Sequence, residues 1–324
     1  MLKRKKSKNA TLCIITCAFV VVFFVINRNY LSVNNIRGIM YAVSSSGIIA
    51  IGIGCLLISG VVDLAAGAVG CISGVLVAIL MQAGIAWPFA LVATLLFGAI
   101  AGLINAFLTN VLNFMPFIAT LGMASIWRAL ALIVGDGNNI AISQHGFYKI
   151  TSLSPLGVPL PFIIMTFLFV VYGLILSWTP FGRSLYWSGG NRAASRLAGL
   201  KPKKITSIAF VNSGVLSALA GVIIASNNHI GSPTSVIGLE MDAIAAAVLG
   251  GISFMGGSGG MGGCFIALLM LNCISNGLRT SGLQPYWQIV AQGVLLLVAL
   301  FIDYVSTKSR HVEQSNGSVV REKT

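Results

Sequence analysis

Long apolar runs that carry almost no charge dominate the chain. They fall at 11–26, 37–58, 64–84, 88–109, 116–134, 160–178, 205–226, 243–254, 262–278 and 286–305. A helix needs about 20 apolar residues to cross the ~30 Å hydrocarbon core of a bilayer, and most of these runs approach that length. They are continuous instead of alternating with period two, which selects a helical bundle over a membrane barrel. Composition agrees: 8% of residues are charged and mean hydropathy is +0.93, against about 25% charged in a soluble domain. That is too little polar material to cover a soluble globule of 324 residues. The fold class expected is all-α, a polytopic helical membrane protein of about ten spans. The eighth run is too short to cross as one straight helix. It leads into GGSGGMGG, which predicts a broken or re-entrant element there.

Charge placement orients such a bundle. The formal net charge is +13. In a soluble chain that excess would raise nucleic acid as a partner. Here the positives gather in connecting segments, where they set topology and meet anionic membrane lipid, so no nucleic-acid role is expected. Lys3, Arg4, Lys5, Lys6 and Lys8 form a head. Arg183, Arg192, Arg196, Lys201, Lys203 and Lys204 form a loop without an acid, and Lys308, Arg310, Arg321 and Lys323 lie in the tail. All three segments are predicted to be cytoplasmic. Six runs separate head from loop and four separate loop from tail, so charge and span parity agree. The organisation expected is a basic head over 1–10, one membrane domain over 11–305 with a cytoplasmic loop at 179–204, and a polar tail over 306–324. The head and first run resemble the opening of a signal peptide. The chain continues as NRNY without a small-residue cleavage site, so the run is read as an uncleaved span. Residues 135–159 and 227–242 then fall outside.

An echo runs through the chain. DLAAGAVGCIS at 63–73 overlays DAIAAAVLGGIS at 242–253 with one insertion. Five spans separate the two, and five is odd, so a repeat on this register inverts in the membrane. Inverted repeats with short, interrupted elements in matching positions mark midplane paths in transporters. Against this stands chance, since Ala and Gly are common in the chain.

The loop at 189–204, GGNRAASRLAGLKPKK, carries a short helix signature. Asn191 suits an N-cap, Ala193, Ala194, Leu197 and Ala198 tolerate helix, Gly199 suits a left-handed C-cap, and Pro202 blocks continuation. So short a helix is marginal alone and needs a surface. Two readings stand: a positive loop that only fixes orientation, or a docking helix whose small alanines allow close approach while Arg192 and Arg196 reach acids on a partner. Gly257, Gly259 and Gly262 form a formal GxGxxG, but no strand precedes it and no ribose-binding acid follows, which argues against a dinucleotide. Gly98 and Gly102, Gly70 and Gly74, and Gly259 and Gly263 are small-xxx-small pairs suited to close helix packing.

Arg128 lies twelve residues into the fifth run, near mid-depth, where a charge is costly and faces a partner or a cavity. Asp63, Asp242 and backbone carbonyls are the candidate partners; snorkelling is the alternative. Asp63 also suits the start of the third span, where the helix dipole favours a carboxylate. Asp63, Gly67, Arg128, Asp242, Gly250 and Gly251 are the candidates for a path or gate. The six cysteines make no CxxC pair and the three histidines are scattered. The cysteines read as packing residues, with no metal site and no cofactor expected. No G-x4-G-K-[ST] is present, nor any nucleophile or carboxylate set suggesting hydrolysis. A bundle with a path and no energy source implies an external motor.

These residues resemble a known family, the ribose-type sugar ABC transporter permeases. FGRSLYWSGGNRAASRLAGLKPKKI resembles their cytoplasmic loop, and GSPTSVIGLEMDAIAAAVLGGISFMGGSGG their most characteristic stretch. ISGVVDLAAGAVG and FIATLGMASIWRALALIVGDG resemble two further elements, in the family's order. The resemblance implies the membrane pore of a bacterial inner-membrane importer, built from two permease subunits, the second being another copy or a homologous permease. It implies a separate cytoplasmic ATPase and a periplasmic sugar-binding protein. It implies that the 191–199 helix is the coupling helix, with Gly190, Asn191, Arg192, Ala193, Ala194, Arg196 and Gly199 in contact with the ATPase. It implies a ribose-like sugar or related polyol as cargo. Val61, Val62, Ala65 and Arg192 depart from the family's usual residues. Outside this family, an ion-coupled secondary transporter with inverted repeats and a membrane-embedded enzyme or assembly factor are the alternatives.

Overall fold

The computed structural model describes residues 2–284 together with Tyr286, Trp287, Val290, Gly293, Val294 and Leu297. Apart from those six positions, the tenth predicted run and the 306–324 tail lie outside the described residues. Among the described residues the chain is helical apart from one two-residue strand pair, and six helices are long and apolar enough to cross a membrane. These are α2 (Val33–Ile58), α4 (Trp87–Asn110), α5 (Pro116–Val134), α7 (Leu160–Trp178), α10 (Pro202–Asn228) and α12 (Met261–Thr280). Helix α1 (Leu2–Ile26) contains a shorter apolar part, Ala10–Ile26, and α3 (Ala66–Gln82) is also short. The basic residues Lys3 to Lys8 lie in the first turns of α1. The remaining helices are α6 (His145–Ser152), α8 (Pro180–Gly190), α9 (Arg192–Leu197) and α11 (Leu239–Leu249). This is a polytopic helical membrane protein.

Proline sets many of the starts. Pro88, Pro116, Pro161, Pro180 and Pro202 stand at the first or second positions of α4, α5, α7, α8 and α10. There the missing N–H costs nothing and the fixed φ already suits a helix. Ser32 caps α2, its hydroxyl accepting from Asn35 N.

Helix α10 packs against α2, α3 and α4. Its glycines let backbones touch: a Cβ on Gly214 would strike the Gly98 carbonyl of α4, and one on Gly221 the Gly70 carbonyl of α3. Two of the small-residue pairs thus converge on α10, trading side chains for close backbone approach. The third does not belong to one helix. Gly259, at φ +124°, stands in the turn before α12 and backs onto Ile252. Residues 43–58 of α2 are all buried. By contrast α4, α5 and α7 present apolar side chains outward, among them Phe89, Leu96, Ile118, Ile133, Phe167 and Val170, as lipid-facing helices do. Cys55, Cys71 and Cys264 are buried packing residues, whereas Cys13 and Cys17 are exposed on α1.

Two short connections turn back into the bundle. Strand β1 (Ile140–Ala141) pairs antiparallel with β2 (Ile230–Gly231). From β2 the chain runs beside α3 in the opposite sense. Gly231 abuts Gly74 and Ala78, the Cys71 thiol donates to the Pro233 carbonyl at 2.6 Å, and Val236 meets Gly70 and Gly67. Helix α11 therefore begins beside the first turn of α3. Its 11 residues span about 16 Å, well short of a bilayer. It ends at Gly250, and Gly251 turns the chain at φ +87°.

Candidate functional site

Where α3 and α11 begin, charged side chains meet inside the bundle. Asp63 is buried and hydrogen-bonded on both oxygens. Its Oδ1 accepts from Ala65 N at 2.9 Å and Asn105 Nδ2 at 3.5 Å, and its Oδ2 accepts from Ser213 Oγ at 3.0 Å. Leu64 N donates to Thr120 Oγ1 at 3.1 Å. Side chains of α4, α5 and α10 thus pin the segment that feeds α3. The Asp63–Ala65 bond is an Asx turn just ahead of the helix, so the carboxylate faces the positive end of the α3 dipole.

Arg128 of α5 pairs with Glu240 of α11. This replaces the expected partners Asp63 and Asp242, and the side chain does not snorkel away. The Glu240 residue is buried, and its Oε2 has no hydrogen-bond partner among the described residues. That oxygen lies against Gly67 of α3, where any Cβ would collide with it. Glycine at 67 is therefore what lets a glutamate from α11 reach an arginine on α5 across the start of α3. Gly67, Arg128 and Asp242, the last in the same first turn of α11, gather about Glu240. Asp63 stands one turn before Gly67. Gly250 and Gly251 do not join them: they lie at the other end of α11, about 15 Å away, where Gly250 abuts Gly263 and Cys264 of α12. Glu240 was missed in the sequence, although one signal marks it. Only Asp63, Asp136, Glu240 and Asp242 are acidic in the first 300 positions. Among the described residues no cluster of His, Cys, Asp and Glu could hold a metal ion.

The second assembly is the loop of α8 and α9. Asn191 caps α9, its Oδ1 accepting from Ala194 N at 2.9 Å. Gly199, at φ +80°, closes it: Leu200 N donates to Ser195 O and Gly199 N to Arg196 O, both at 3.0 Å. This is a Schellman ending, so the six-residue helix is satisfied at both ends. Ser195 is its buried residue and donates to Trp187 O at 2.8 Å, tying α9 to α8. Arg192, Ala193, Ala194, Arg196 and Gly199 are exposed. Leu197 is 92% exposed, an apolar side chain offered outward that sequence reasoning passed over.

Glycines seat this loop on the bundle. A Cβ on Gly189 would strike the Ile58 carbonyl at the end of α2 and come within 2.7 Å of Gly257 N. Gly257 N donates to Ile58 O at 2.9 Å, and Gly190 backs onto Gly257. A Cβ on Gly256 would come within 2.7 Å of Gly60 Cα. Tyr186 donates to the Gly259 carbonyl at 3.1 Å, and burial lifts its phenol above the usual range. The GGSGGMGG stretch is thus a backbone-on-backbone junction, not a nucleotide loop.

Residues 35–300 match the protein family described as branched-chain amino acid transport system / permease component. The chain belongs to that family. The permease is 36% identical over 286 residues to the ribose import permease protein RbsC of Bacillus subtilis (strain 168), covering 88% of this chain and 89% of that one. It is 34% identical over 290 residues to the L-arabinose transport system permease protein AraH of Escherichia coli (strain K12), covering 87% and 86%. It is 34% identical over 284 residues to the D-allose transport system permease protein AlsC of the same strain, covering 86% of each. No solved structure matches. The permease is a translocation component and not an enzyme.

Proposed function

We propose that the permease forms the membrane pore of a binding-protein-dependent sugar importer in a bacterial inner membrane, with a pentose, hexose or related polyol as cargo. Its relatives are named for ribose, L-arabinose and D-allose, which supports a sugar without choosing one. The bundle has about ten spans, both termini in the cytoplasm, and two inverted five-span repeats whose matching elements are α3 and α11. A second permease copy completes the pore. The periplasmic binding protein docks on the opposite face, at 135–159 and the exposed 227–229; the rest of 227–242, expected to lie outside, instead turns back into the bundle beside α3.

The observation that carries this reading is the capped, outward-facing α9 seated on glycine backbone at Gly189 and Gly190. A cytoplasmic ATPase docks on Gly190, Asn191, Arg192, Ala193, Ala194, Arg196 and Gly199, with Leu197 as the apolar anchor. Small exposed alanines admit a partner surface closely, and the two arginines supply charge at the rim. Nucleotide-driven closure of the ATPase moves α8 and α9 as one body. Backbone contacts cannot be compressed as side chains can, so displacement passes to Gly60 and Gly257, and from there to the segments feeding α3 and ending α11. The Asp63, Gly67, Arg128, Glu240 and Asp242 group is the gate those segments carry, and Gly250 and Gly251 are its hinge. The nucleotide state then biases two positions of one rigid lever.

The test is reconstitution. Vesicles holding the permease with its ATPase and binding protein should take up labelled ribose, arabinose or allose only with ATP inside. Uptake by the permease alone, driven by an ion gradient, would overturn the reading. A cysteine at Ala194 should react with impermeant thiol reagents from the cytoplasmic side alone; reaction from outside would reverse the orientation.

A further inference from the structure

Two surface grooves meet at the turn between α4 and α5. The first, of about 450 Å³, is lined by Asn113, Arg196, Leu200, Lys201, Pro202 and Lys203. Three cations and no acid stand on its wall. The second, of about 580 Å³, is apolar, with Leu108, Phe114, Met115, Ile118, Gly122 and Ile126 among its lining. The turn joins them: Asn113 belongs to the basic groove, while Phe114 and Met115 belong to the apolar one. Asn113 takes the left-handed conformation at φ +56°, and Phe114 N donates to Leu108 O at 3.1 Å, which folds the turn tightly.

We propose that the paired grooves form a specific site for one anionic phospholipid, its phosphate held by Lys201 and Lys203 and an acyl chain laid along α5. A glycerophospholipid has this same division, with charge at one end and hydrocarbon at the other. Lys203 Nζ donates to Asn113 Oδ1 at 2.8 Å, which holds the ammonium at the mouth of the groove with donors to spare. Lys201 is exposed, and no acid is among the described residues that line the groove. The lengths also agree. From Met115 to Ile126 is eleven residues of helix, about 16 Å, and one leaflet of hydrocarbon is about 15 Å deep. Gly122 faces open space midway along this wall, with no atom within contact distance of its missing side chain. That gap gives a chain somewhere to lie. Basic pockets flanking membrane helices on the cytoplasmic side recognise anionic headgroups. The leaflet rests on the proposed cytoplasmic placement of the 179–204 loop; the headgroup preference does not.

Purified permease in neutral detergent, stripped of lipid, is titrated with phosphatidylglycerol, phosphatidylcholine or inorganic phosphate. Thermal unfolding and native mass spectrometry read the result, and neither needs the ATPase or the orientation. Phosphatidylglycerol should stabilise and stay bound, phosphatidylcholine should do so far less, and free phosphate not at all. Lys201→Gln and Lys203→Gln should each weaken phosphatidylglycerol about fivefold. Gly122→Leu should weaken it with every charge intact and leave lipid-free stability unchanged. Equal response to the two lipids, unchanged affinity in the double glutamine variant, or stabilisation by phosphate alone would overturn the site. So would a Gly122→Leu effect confined to dimerisation, since a second copy would then be what covers the apolar groove.

Discussion

Replacing Arg128 with Met keeps most of the side chain's bulk and removes its charge. What remains is Glu240, whose side chain is 5% exposed, facing Gly67 with no counter-charge. Breaking a buried pair by deleting one member costs about 3–5 kcal/mol, because the surviving charge stays desolvated. The Arg128 side chain is 36% exposed, so solvent already screens part of the interaction; about 2–3 kcal/mol is the expected loss. Adding Glu240→Gln to Arg128→Met removes the stranded charge and should restore about half of that loss or more. A third variant approaches the same carboxylate from another side. Gly67→Ala places a methyl where Glu240 Oε2 lies, pulling the pair apart without altering either partner. Glu240→Asp withdraws the carboxylate by one methylene and should partly rescue Gly67→Ala. Thermal unfolding in detergent across the four combinations gives the coupling energy directly. If Arg128→Met and Glu240→Gln prove additive within about 0.5 kcal/mol, the pair is not coupled and the electrostatic reasoning fails.

Two further changes address the loop. Gly189→Ala drives a methyl into the Ile58 carbonyl and the Gly257 amide, neither of which can rotate aside. The overpacking should cost about 1–3 kcal/mol and reduce ATP-driven uptake while the ATPase still copurifies; wild-type uptake would show that the junction transmits nothing. Leu197→Asp touches a side chain that is 92% exposed, so the fold should be unaffected. Copurification of the ATPase should fall, and its retention at wild-type level would remove Leu197 from the docking surface.

Some features were legible because local chemistry alone decides them. Asn191, Gly199 and Pro202 mark the ends of α9 and the start of α10 through capping geometry and fixed dihedrals, which need no tertiary partner. Prolines also stand at the starts of α4, α5 and α7, a local signal that the reading of apolar runs did not use. The Arg128 partner was not legible, because 112 residues separate it from Glu240 and only the return of the chain beside α3 joins them. The 259–263 pair misled for a related reason. Residue spacing assumes one continuous helix, and φ at Gly259 rules that out. Exposure of Leu197 was hidden because the sequence shows an apolar residue without showing which way its short helix turns.

The echoed segments acquire a physical meaning once their surroundings are compared. Each precedes or opens a helix too short to be a full span, and each brings acids to that helix's positive end: Asp63 before α3, Glu240 and Asp242 in the first turn of α11. Because the chain between β2 and α11 runs beside α3 in the opposite sense, these two starts lie side by side. Their far ends differ. Gly60, three residues before Asp63, borders the glycine junction that α8 rests on, whereas Gly250, at the close of α11, abuts Gly263 and Cys264 of α12. Under the proposed function a displacement at α9 would reach the segment feeding α3 through Gly189 and Gly60, while Arg128 and Glu240 would oppose any sliding of one start past the other. On the proposed lever, partial movement would strain the Arg128–Glu240 pair before the two starts could separate. The Gly189 and Arg128 variants test opposite ends of that path: the first should uncouple ATP hydrolysis from transport, and the second should lower the force needed to move α11. If Arg128→Met merely unfolds the protein, with transport in the folded fraction unchanged, the pair is a packing clamp and does not resist the lever.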